Sequence, residues 1–155
     1  MLPIVLFLLQ PVASELAFPP IAPYEIKNSN AGATPYEGDR LIQAFGGREN
    51  VVRIVDDLVA TNVADPRISD IFKASDLPRL RRLLAEQLTY LLGGGGNYTG
   101  RDMRAAHKDM GLQTADMGAL VENLQLSMRR HKVPFAAQNR LLAKLAPMKR
   151  MVVER

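Results

Sequence analysis

Met103-Arg104-Ala105-Ala106-His107-Lys108-Asp109-Met110-Gly111-Leu112 holds one of only two histidines in a chain of 155 residues that contains no cysteine. Helical spacing predicts a short helix over about 101–108, opened by Thr99-Gly100-Arg101-Asp102 and closed by Gly111. On such a helix Met103, four residues before His107, and Met110, three after it, share a face with the imidazole. An ordinary histidine on an apolar helix face and a metal ligand are both open readings of this stretch alone. The surrounding sequence has to discriminate between them.

Outward from this segment the periodicity is helical and no stretch alternates with period two, which predicts an all-α fold. Leu41, Ile42 and Phe45 end at Gly46-Gly47, a helix stop. Val51, Val52, Ile54, Val55, Leu58, Val59 and Val63 form a stripe at i, i+3, i+4 spacing. Pro66 is expected to open a short helix toward Ile71-Phe72. Ser75-Asp76-Leu77-Pro78 starts a helix carrying Leu77, Leu80, Leu83 or Leu84, Leu88, Leu91 and Leu92, and Gly93-Gly94-Gly95-Gly96 stops it. Thr114 is placed to cap a helix with Met117, Leu120, Val121, Leu124 and Met128 inward. Pro134 opens a last helix bearing Leu141, Leu142, Leu145 and Val152.

The organisation is one domain over 39–155, preceded by an extended linker over 15–38 that is rich in Pro, Asn and Ser. Residues 1–14 begin with the apolar run Met1 to Leu9, too short for a bilayer span of about 20 residues. They resemble the apolar region of a secretory signal, which predicts export to a periplasm. No Lys or Arg precedes the run, so an uncleaved anchor or a mis-assigned start competes, with a cytoplasmic location if the segment is not a working signal.

The composition is 47% apolar and 23% charged, ordinary for a globular protein. The absence of cysteine removes disulfides, iron–sulfur clusters, thiol catalysis and covalent c-type haem attachment. The net charge of +4 comes from basic residues interleaved with acidic ones, as in Asp65-Pro66-Arg67, so nucleic acid is not an expected partner. The glycine run lacks the Lys-Ser/Thr of a phosphate loop. Asp56 and Asp57 are helix neighbours about 100° apart and read as surface charge. His131, within Arg129-Arg130-His131-Lys132, reads as a solvated cation at a helix end. A lone histidine cannot complete a zinc site, which needs three or four ligands. It can hold a haem iron, because the porphyrin supplies four nitrogens and the protein one imidazole.

Phe45-Gly46-Gly47-Arg48-Glu49, Ala64-Asp65-Pro66-Arg67-Ile68 and Tyr98-Thr99-Gly100-Arg101-Asp102-Met103, with His107 and Gly111-Leu112 in register, resemble the group I truncated haemoglobins over roughly 39–153. The resemblance implies a 2-on-2 helical globin with b-type haem, His107 as proximal ligand and Phe72 packed on the haem. Leu77, Met103 and Leu112 are expected among the cofactor's contacts, and Arg79 and Arg101, from the basic groups, are the expected propionate contacts. Where the family commonly places a distal Tyr this chain has Val59. The other distal positions are Leu80, Leu84 and Leu120, all aliphatic. Gln87 is the nearest polar residue and is expected at the pocket edge or in solvent.

The expected function is therefore reversible binding of oxygen, NO or CO at a pentacoordinate iron with an apolar distal pocket. A hydrogen bond to a charged ligand contributes about 1.5–3 kcal/mol, so its absence predicts rapid oxygen release. A redox or electron-transfer haem protein, served by a reductase, and a haem-free helical interaction module are the alternatives. NO dioxygenase or peroxidase chemistry ranks behind ligand binding.

Overall fold

The structure, a computed structural model, describes residues 26–154, so the expectations for residues 1–14 lie outside the described residues. All regular elements among them are helical. They are α1 (Arg40–Ala44), α2 (Gly47–Ala64), α3 (Ser69–Phe72), α4 (Leu77–Leu91), α5 (Met103–His107), α6 (Thr114–Arg130), α7 (Phe135–Leu145) and α8 (Lys149–Val152). Short 3-10 turns occupy Asn28–Ala31 and Ala146–Met148.

The central element is α2, which packs against α4 on one side and α6 on the other. Val51, Ile54, Val55, Leu58 and Val59 bury fully along it, each 0–3% exposed. Burying one such side chain contributes about 1.5–3 kcal/mol. Val52 and Val63, expected in the same stripe, are exposed, because one helical step turns Val52 about 100° away from Val51. The α2–α6 contact also encloses polar groups. Ser127 donates to the Ile54 carbonyl at 2.7 Å, and Asn123 donates to Asn62 Oδ1 at 2.9 Å.

Helix boundaries follow local chemistry. Asp76 caps α4 by accepting from the Arg79 N–H at 3.1 Å, with Pro78 in the first turn. At Gly93 φ is +83°, and a Cβ there would run into the carbonyls of Gly38 and Tyr36. The cap of α6 is Gln113, not Thr114; its N–H donates to Asp116 at 2.9 Å. Pro66 does not open α3. Residues 66–68 form a turn in which Asp65 accepts from the Arg67 N–H at 3.0 Å, and the helix starts at Ser69. The last helix is broken at Pro147, whose missing N–H converts one turn to 3-10 geometry before α8.

The chain joins the packed body earlier than position 39. Within the stretch expected as linker, Ala31 is fully buried, and the Tyr36 N–H donates to the Leu91 carbonyl at 2.9 Å. The Tyr36 hydroxyl donates to the Arg140 carbonyl at 2.9 Å, with the Arg140 and Lys144 cations each 4.5 Å from its ring centre.

Candidate functional site

Helix α5 is a single turn, too short to persist without external contacts. Asp102 caps it by accepting from the Ala105 N–H at 2.9 Å. Its first residue, Met103, is buried, and its last, His107, is half-buried. The helix also packs against α8, and the Glu154 N–H donates to the Leu112 carbonyl at 3.0 Å just beyond it.

The imidazole Nδ1 of His107 lies 2.7 Å from the Met103 carbonyl oxygen. A carbonyl only accepts, so Nδ1 carries a proton, and whenever the ring is neutral its lone pair lies at Nε2. That tautomer is the one a metal-ligating histidine takes when its other nitrogen is held by the backbone. Met110 does not share this face. The helix ends at His107, Asp109 takes a left-handed φ of +62°, and Met110 is 43% exposed.

The positions read as distal converge. Val59 on α2 is fully buried, and Leu77, Leu80 and Leu84 of α4 and Leu120 of α6 pack against the same apolar cluster. These four leucines are only half-buried, unlike the side chains behind them. Met103 and Leu112 belong to a second cluster, with Leu91, Tyr98 and Met148 and with Ile71, Leu83 and Met117 packed against it. Phe72 ends α3 and is half-buried. The guanidinium groups of Arg79 and Arg101 are exposed and make no ion pair among the described residues. Met117 and the Ile71-Phe72 segment were read from spacing as apolar, but periodicity alone gave no sign that Ile71, Leu83 and Met117 gather in one cluster around Met103 and Leu112.

Two polar residues differ from expectation. Gln87 is neither at a pocket edge nor in solvent. It is 6% exposed and donates to the Ala31 carbonyl at 2.8 Å and to Met103 Sδ at 3.3 Å. Its position three residues after Leu84, on the inward face of α4, was the signal for this burial. His131 is not a solvated cation. Its Nε2 lies 3.6 Å from Asp57, which Arg130 also approaches at 3.3 Å, so Asp57 joins α2 to the end of α6.

A cavity of about 380 Å³ opens on a different side of α4, between Arg48, Val52, Arg81, Arg82 and the glycine run. Two of its polar side chains are bonded to residues outside the lining. Arg48 donates twice to the Gly94 carbonyl, at 2.7 and 3.1 Å, and Glu86 accepts from the Thr99 N–H and hydroxyl. None of the residues assigned to the histidine site lines it.

A family model described as Bacterial-like globin matches residues 40–154. The chain belongs to this family, as a group I truncated globin. This globin is 35% identical over 94 residues to the group 1 truncated hemoglobin of Tetrahymena pyriformis, a match covering 60% of this chain and 78% of the relative. To a group 1 truncated hemoglobin of Chlamydomonas moewusii it is 41% identical over 70 residues, but that match spans 45% of this chain and 41% of the relative. The solved Fe(III) form of the T. pyriformis protein superposes with a TM-score of 0.71 at 27% identity, covering 74% of this chain and 98% of that one. The 2/2 hemoglobin of a Synechococcus species, solved in the cyanomet state with covalently attached heme, gives 0.68 at 26% identity with the same coverage. The 2-on-2 helical architecture and the globin's capacity for haem-based ligand binding follow from the family.

Proposed function

We propose that His107 Nε2 holds the iron of a b-type haem at a pentacoordinate centre whose open side is aliphatic. The observation that carries this reading is the 2.7 Å contact between His107 Nδ1 and the Met103 carbonyl, which in the neutral ring leaves the Nε2 lone pair for a metal. The donor set fits the group. No three His, Asp or Glu side chains converge to hold a bare metal ion among the described residues, so an iron at His107 must bring its own equatorial ligands. Haem, when bound, supplies those four nitrogens and a sixth position for a diatomic ligand.

The half-buried leucines at 77, 80, 84 and 120 offer apolar surface that a porphyrin would cover. Phe72, Met103 and Leu112 extend that wall. Arg79 and Arg101 are free to meet the propionates, as charge-assisted donors do. On the ligand side Val59, Leu80, Leu84 and Leu120 have no hydrogen to donate. A ligand that gathers negative charge therefore loses about 1.5–3 kcal/mol relative to a pocket with a donor, about ten- to a hundredfold in affinity. CO and NO, with less charge to stabilise, are held with a smaller handicap.

The test is the absorption spectrum of the ferrous protein with and without CO and oxygen. The reading requires a Soret band, a CO adduct, rapid oxygen release, and loss of the pentacoordinate ferrous spectrum in His107→Ala. An unchanged spectrum in that variant would overturn the ligand assignment. Slow oxygen release would overturn the aliphatic pocket.

A further inference from the structure

We propose that Gln87 is a positioning residue for the iron-ligating imidazole and acts through Met103. The inference rests on the reading that His107 holds the iron, and it concerns a residue on α4 that has no bond to His107 itself. The Gln87 side-chain nitrogen donates to the Ala31 carbonyl at 2.8 Å and to Met103 Sδ at 3.3 Å, and lies 3.9 Å from Met148 Sδ. Met103 in turn offers its carbonyl to His107 Nδ1. One buried amide thereby connects the helix bearing Leu80 and Leu84, the N-terminal 3-10 turn and the helix that aims the imidazole.

The short length of α5 makes this connection matter. One turn of helix has no stability of its own, so its direction is set by what grips it. The grip on its first residue is close. A Cβ on Gly32 would come within 2.9 Å of Met103 Cγ and 3.0 Å of Met148 Sδ, so the turn's backbone lies directly against both methionines. An apolar side chain of Gln87's size could fill the same space. It would lack the donor that fixes Met103 against Ala31, and a buried carbonyl would lose its partner. If Met103 shifts, its carbonyl and the Nδ1–H it receives shift with it. A weaker bond at Nδ1 makes the imidazole a poorer electron donor to iron.

The experiment uses the haem-loaded protein and reads the iron–histidine stretching band of the ferrous form by resonance Raman, together with the Fe(III)/Fe(II) potential. Gln87→Met, near-isosteric but without a donor, should broaden the band, lower its frequency and raise the potential. It should also speed haem transfer to an acceptor globin, by about tenfold or more. Met103→Leu should move both readouts in the same direction, and the double variant should go no further than the larger single one, because the two act in one chain. In His107→Gly reloaded with free imidazole, Gln87→Met should have no effect on the band, since that imidazole is no longer attached to α5. A merely structural Gln87 would lower the melting temperature and leave band and potential at parent values, which would overturn the proposal. A shift that persists with free imidazole would also overturn it. If Gln87→Met does not load haem, Met103→Leu decides the matter by the same readouts. Retention of the band in His107→Gly without imidazole would instead remove the ligand assignment itself.

Discussion

Arg67 engages Asp65 through three nitrogens: its backbone N–H donates at 3.0 Å, Nε at 3.1 Å and Nη2 at 2.8 Å. The pair closes the turn between α2 and α3, and Arg67 reaches across to Glu122 on α6 at 2.6 Å. Asn123 adds a fourth donor to Asp65, at 3.0 Å. The Arg67 side chain, then Asn123, then the Arg67 backbone hold the Asp65 carboxyl well below the usual carboxylate range.

The sign of the pH dependence follows. A carboxyl whose folded value is depressed contributes stability that is present above its unfolded value, about pH 4, and is lost as pH falls through the lower folded value. Asp65→Asn should therefore unfold at a lower temperature than the parent at pH 7. The gap should narrow below pH 4, where the unfolded parent's carboxyl takes up a proton that the folded one resists. Thermal unfolding followed by circular dichroism between pH 2 and 7 measures this, and a gap that is constant with pH would contradict it.

Asn62 and Asn123 form a buried pair where α2 crosses α6. Asn62→Ala leaves the Asn123 amide without this acceptor and should cost about 1–3 kcal/mol in urea unfolding. Replacing both residues by leucine should cost less than the sum of the two single changes, because no polar group is then stranded at the crossing.

Gly93 and Gly111 both adopt left-handed backbone, with φ of +83° and +64°. A Cβ meets nothing within 4 Å at Gly111 but collides with two carbonyls at Gly93. Gly111→Ala should lose about 1–2 kcal/mol, the cost of the left-handed conformation alone. Gly93→Ala should lose more, since the chain around residues 36–38 must also move. Equal losses in urea titrations would show that this packing is dispensable.

A donor introduced on the distal side should slow oxygen release by about ten- to a hundredfold and leave CO release nearly unchanged. Leu84→Gln is the gentler route, because Leu84 is half-buried. Val59→Tyr enters a fully buried position and should also lower stability, by about 1–3 kcal/mol. Flash photolysis of both variants measures the effect. No change in oxygen release in either would mean that these positions do not face the ligand.

Local patterning made much of this legible. The α2 stripe, the Asp76 cap and the glycine stop after α4 were all predictable from periodicity and turn chemistry, which act within a few residues. His107 stood out as one of two histidines in a chain without cysteine, and the family resemblance supplied the role proposed for it. What patterning could not reach were partnerships between distant residues. Gln87 looks solvent-bound until Ala31 and Met103 are brought to it, and Ala31 looks like linker until Gln87 receives its carbonyl. Asp57 and His131 read as surface charges because each meets its partner only when α6 lies along α2. The helix over 101–108 was drawn too long because its end depends on the backbone turn at Asp109.

The contact of α5 with α8, and the bond from Glu154 to Leu112, also bear on the order of events during synthesis. Translation adds about 5–20 residues per second, so Glu154 emerges several seconds after the histidine it helps to seat. The core around α2, α4 and α6 can collapse before then, but α5 lacks its contact with α8 until residues 149–154 arrive. Whatever depends on the aim of His107 is thereby placed after α8 has been made, and a chain interrupted between α7 and α8 would fold its body yet present a poorly aimed imidazole.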